Sequence, residues 1–171
     1  MPWLIIAGLL PIIWQDFKDR AIHVGFLLAF IILSMISAWQ TALPFHEWIM
    51  NLGFILFILG ILSFYFSMKN RRWVNIIDSY LGLGDVVFFI GLCFLFPLVN
   101  MLAFFVFSLV FSLIVYGIIT LFKKGEHNNI PLAGLMGICL IGTIIIVEIN
   151  NYDLNNSQFI LTKLNTLYGL D

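Results

Sequence analysis

Polar and charged residues divide this chain into six apolar stretches, at residues 2–14, 21–39, 48–67, 81–98, 101–122 and 130–149. A helix needs roughly 20 residues to cross the ~30 Å hydrocarbon core of a bilayer. The second, third, fifth and sixth stretches meet that length. The first meets it only if its helix runs on through Asp16 to Arg20, giving about 28 Å at ~1.5 Å per residue. Lys18 and Arg20 would then reach back to water. The fourth is similarly short unless it starts before Gly82. Both shortfalls draw an acid inward, Asp16 in one case and Asp85 in the other. The pattern predicts an all-α integral membrane protein: six transmembrane helices within residues 1–149, then a polar tail over 150–171. Ile160, Leu161, Leu164, Leu167 and Tyr168 recur in that tail at helical spacing, which predicts a short helix on the outer surface.

Composition points to the same class. Hydrophobic residues make up 62% of the 171 and charged residues 10%, against about 25% charged in soluble domains. The first stretch has no basic region before it and further spans follow, so it is expected to be retained and not removed as a signal peptide. Orientation follows from the basic residues. Lys18 and Arg20 follow the first stretch, Lys69, Arg71 and Arg72 the third, and Lys123 and Lys124 the fifth. In a six-span chain these connections share one side, and the other side has only Lys163. Both termini are therefore expected outside, with the basic loops in the cytoplasm. Asp16 closes the first span and Asp85 opens the fourth, so both acids belong at the cytoplasmic end.

An acid at membrane depth costs about 3 kcal/mol on insertion scales, which makes it a candidate functional residue. Two carboxylates a few ångströms apart do not readily both ionise, so such a pair holds one proton. The charged member can deprotonate water while the neutral one donates to a carbonyl oxygen. In Gly82-Leu83-Gly84-Asp85 the glycines would let the backbone bend and a neighbouring helix approach, turning the carboxylate inward. The structural alternative is that both acids only cap helices or pair with Lys18 and Arg20. Cys93 and Cys139 lie singly in different stretches, so neither a disulfide nor a zinc site is expected. Ser108-x-x-x-Ser112 and Ala133-x-x-x-Gly137 are small-residue spacings suited to helix packing.

Three stretches of this sequence resemble the type IV prepilin peptidases, membrane aspartyl proteases of the GxGD group. Asp16-Phe17-Lys18-Asp19-Arg20-Ala21-Ile22 is similar to their first motif, Gly82-Leu83-Gly84-Asp85-Val86 to their second, and Ile130-Pro131-Leu132-Ala133 to the entry of their last helix. The resemblance implies that Asp16 and Asp85 are the catalytic pair, supported by the Gly82 and Gly84 backbone, with no metal or cofactor. The substrate would be a prepilin-like membrane protein of a type IV pilus or protein secretion system. Its basic leader would be cleaved at the cytoplasmic face of the cell's inner membrane, with no nucleic acid involved. The chain departs from the family at His23 and Val24, where Pro-Asn is usual, and at Val87, where Lys is frequent; these positions bear on substrate range. It also lacks the four-Cys module of the large bifunctional members, which implies a short, peptidase-only form without N-methyltransferase activity.

Other polar residues carry weaker expectations. Asp19 and Asp78 are candidate contacts for a basic leader and, equally, balancing charges for the basic loops, as is Glu126. His23 is a candidate hydrogen-bond partner for one of the acids or an interfacial residue. A competing function is a small proton- or cation-coupled carrier using the same two acids. A carrier is expected to show an internal repeat with broken helices at the midplane, and no repeat is visible. A silent assembly factor of a secretion apparatus is a third class, against which the intact acid pair argues.

Overall fold

In hydrocarbon a backbone amide finds no water, so an apolar segment satisfies its hydrogen bonds within itself by forming a helix. The computed structural model describes residues 2–19, 21–71, 73, 77, 81–122 and 131–150. Among them are six helices: α1 (Pro2–Asp19), α2 (Val24–Gln40), α3 (Phe45–Asn70), α4 (Leu83–Leu92), α5 (Leu98–Phe122) and α6 (Leu132–Ile149). The fold is all-α. Three helices are long and apolar enough to cross a membrane: α3, α5 over Leu98–Ile119, and α6. The expected tail helix, Asp78 and the Lys123–Glu126 charges lie outside the described residues.

Two boundaries decide where the acids go. The first helix continues past Trp14 to Asp19, which places Asp16 inside its last turns. Its buried residues are Ile5, Leu9, Ile12 and Asp16, a run of steps of four, three and four that forms one face. Asp16 thus occupies a core position on α1.

The fourth stretch departs from expectation. Residues 81–98 do not form one span-length helix; α4 has 10 residues, about 15 Å of helix. The reason lies in α3. Asn51 is fully buried, and its amide donates to the carbonyls of Cys93 at 3.0 Å and Phe96 at 2.7 Å, holding residues 93–96 in a turn. Glu47, one helical turn earlier, accepts from the Leu98 amide at 2.7 Å and caps the start of α5. An amide and a carboxylate on one face of α3 therefore end one helix and begin the next.

These contacts define two ends of the bundle. At one end α1 finishes while α2, α4 and α6 begin, and at the other α3 and α5 begin beside the finish of α4. Close approach is set by glycine at three crossings. A Cβ on Gly8 would lie 3.0 Å from Leu33, on Gly91 2.4 Å from the Phe30 ring, and on Gly137 2.9 Å from Ile13. Phe30 stacks on Phe88 with centroids 5.2 Å apart, so α2 and α4 meet ring to ring as well as ring to backbone. Ala133 and Gly137 are both buried, as their spacing predicts for packing. Ser108 and Ser112 donate to carbonyls of their own helix, Phe105 and Ser108. On α3 the buried residues are Asn51 and Ile55; most of its apolar surface faces outward, as a lipid-facing helix requires.

Candidate active site

The first turn of any helix leaves amides without intrahelical partners. On α6, Pro131 occupies the N-cap position and supplies no side-chain bond, and the first helical bond runs from Leu135 N to Pro131 O. Two amides ahead of it are taken by acids from other helices. Ala133 N donates to Asp85 Oδ1 at 2.9 Å, and Gly134 N donates to Asp16 Oδ2 at 2.6 Å. Sequence-distant carboxylates are thus brought onto consecutive amides, at the positive end of a helix dipole that favours negative charge.

Each acid is positioned by its own helix. Asp16 is buried, delivered by the inward face of α1. Asp85 sits in the first turn of α4, where its Oδ2 accepts from Gly82 N at 3.3 Å; its backbone amide donates to Gly82 O at 3.0 Å. It is half-buried, and its charge and that of Asp16 act on each other. Both acids therefore do cap helices, as the structural alternative expects, but they do so together, at one helix end.

The two motif glycines work by proximity and not by unusual backbone geometry. Gly82 has φ −67° and ψ 141°, open to any residue, so the expected bend is not needed. A Cβ on Gly84 would meet Ile22 at 3.3 Å, and one on Gly134 would meet Asp16 Oδ2 and the Phe17 ring at 3.1 Å. Gly84 seats α4 against the segment between α1 and α2, and Gly134 leaves room for the Asp16 carboxylate.

His23 does not reach the acids. Its Nδ1 accepts from Gly25 N at 3.2 Å and caps α2, while its own amide donates to Gln15 Oε1 at 2.9 Å. That second bond fixes the link beside Asp16. Asp19 is exposed and outside the acid pair. Cys93 and Cys139 are both buried free thiols. Among the described residues, no three His, Cys, Asp or Glu side chains gather into a metal-binding group. Sequence reasoning missed Gln15, Glu47 and Asn51. A signal existed for the last two, since Glu47 and Asn51 stand four apart at the start of an apolar helix, where uncharged or paired polar groups need buried partners.

The arrangement offers two interacting carboxylates, one buried and one half-open, held by backbone donors in an apolar surround. Such a pair can hold and pass a proton. No protein-family model matches this chain, and no curated protein or solved structure matches it either.

Proposed function

We propose that this protein is a membrane-embedded aspartic endopeptidase of the prepilin peptidase kind, with Asp16 and Asp85 as its catalytic pair. The observation that carries this reading is the convergence of both carboxylates on Ala133 N and Gly134 N. Two acids held on consecutive amides share one proton, and the α6 amides stabilise the negative charge that remains. The ionised member takes a proton from water, whose oxygen attacks the peptide carbonyl. The protonated member gives its proton to the carbonyl oxygen. Collapse of the tetrahedral species breaks the C–N bond, the amine leaves with a proton from the pair, and the products are a carboxylate and a new N-terminus.

The finer topology belongs to the same proposal: six crossings, both termini outside, and the acid pair at the cytoplasmic side of the cell membrane. The α4 helix with its 93–96 turn joins the two ends of the bundle, so the chain can alternate sides although α4 is short. Lys18, in the last turn of α1, lies over the Trp14 ring at 4.5 Å, as a basic residue reaching towards an interface does. A basic leader would approach this end, where Asp19 is exposed and available to it. The carrier reading has less support, because the positive end of α6 opposes a bound cation at these acids.

The test is cleavage. Purified protein in detergent, mixed with a membrane peptide bearing a basic leader and a Gly before its apolar helix, should release the leader. Intact substrate after prolonged incubation with several such leaders would count against the proposal.

A further inference from the structure

Away from the acids, the C-terminal half of α3 carries an open groove of about 550 Å³ that runs from Gly60 past Ser63 and Phe64 to Arg71, with Trp73 beyond it. We propose that this groove binds one anionic glycerophospholipid, with its phosphate on Arg71 and an acyl chain along Gly60 and Ser63. The proposal does not rest on the chemistry of Asp16 and Asp85.

Length, charge and backbone geometry each support that occupant. Gly60 to Arg71 spans about 16 Å of helix, close to the ~15 Å that half of a ~30 Å hydrocarbon core provides. Trp73 is 96% exposed, as an aromatic at headgroup depth is. The floor is open: a Cβ on Gly60 would meet no atom within 4 Å. Among the described residues no acid lines the groove, and the Arg71 guanidinium pairs with no carboxylate. Its charge therefore suits a phosphodiester.

Arg71 also stands at the residue ending α3 with φ 51° and ψ 30°, a left-handed conformation in which Gly is the ordinary occupant. An arginine held there at a backbone cost points to a use for its side chain. A substrate helix with a basic leader would bring like charge to Arg71, which argues against substrate as the occupant.

Two variants test this without threatening the fold. Arg71→Gly relieves the left-handed backbone, and Gly60→Leu fills the groove floor while improving helix propensity; thermal unfolding of both in detergent should match or exceed wild type. Native mass spectrometry of the full chain with added phosphatidylglycerol or phosphatidylcholine reads occupancy. Wild type should retain phosphatidylglycerol in preference to phosphatidylcholine. Retention of phosphatidylglycerol should fall about fivefold in Arg71→Gly and also fall in Gly60→Leu. Equal retention of the two lipids, or undiminished phosphatidylglycerol on Arg71→Gly, would overturn the proposal. So would a dimer that Gly60→Leu dissociates, which would make this face a contact between copies.

Discussion

Asp16 and Asp85 accept hydrogen bonds from neighbouring amides of one helix, Gly134 N at 2.6 Å and Ala133 N at 2.9 Å. Neither acid is held by a basic side chain in these contacts. Both donors are backbone amides at the positive end of α6, which favours the negative charge that the pair retains.

Gly134 donates one of these bonds and also leaves room for the carboxylate that accepts it. Gly134→Ala places a methyl 3.1 Å from Asp16 Oδ2 and from the Phe17 ring, so the carboxylate has to shift by a few tenths of an ångström. Cleavage should fall at least tenfold, because misplaced catalytic groups lose rate steeply, while stability changes by about 1 kcal/mol or less. Kinetics with thermal unfolding on the same preparation checks both. Unchanged kinetics would mean that Asp16 is not placed by α6.

Asn51 should matter for the fold in a way that no catalytic role explains. Asn51→Leu removes both bonds to the 93–96 turn and strands two buried carbonyls, at about 1–3 kcal/mol for each group left unsatisfied. Asn51→Asp should be worse, since it sets a carboxylate against the carbonyls of Cys93 and Phe96. Chemical denaturation in mixed micelles measures the order: wild type, then Leu, then Asp.

Gly91→Ala tests the crossing of α2 and α4. The added Cβ would fall 2.4 Å from Cε1 of Phe30, a ring that is itself fully buried. Overpacking of this kind costs roughly 1–3 kcal/mol. Pairing it with Phe30→Leu should recover part of the loss, and absence of any rescue in the double variant would show that the strain lies elsewhere.

Metal and thiol chemistry are separable from the proposal by simple additions. EDTA should leave cleavage intact, and Cys93→Ser with Cys139→Ser should remain active. Ser at position 93 can keep the bond now made by the thiol to Phe89 O. Loss of activity to EDTA that zinc or magnesium restores would move the reaction to a metal-assisted class.

Much of this site is legible in the sequence, for a physical reason. Asp16 extends the buried face Ile5, Leu9 and Ile12, and a helix period can be followed by counting. The shortness of the fourth helix cannot be found that way. Its ending depends on Asn51, far along the chain, and residues 93–96 are as apolar as the helix before them. The motif glycines were visible but their role was not: φ at Gly82 is ordinary, and the need at Gly84 is room for Ile22, a contact only the packed helices create. Likewise the Ile130-Pro131-Leu132-Ala133 stretch marks the entry of a helix, but that the amides of Ala133 and Gly134 receive two carboxylates depends on how α1 and α4 pack against it.

The central claim is that Asp16 and Asp85 act as one water-activating unit, and the most direct measurement is cleavage by Asp16→Asn, Asp85→Asn and the double variant. An amide supplies neither base nor proton, yet it can still accept the α6 hydrogen bonds, so all three proteins should fold and insert with unfolding temperatures at or above wild type. Each single variant should lose cleavage to the same background as the double, because members of one catalytic unit are not additive. Near wild-type cleavage by either single variant, or losses that multiply in the double, would contradict the account.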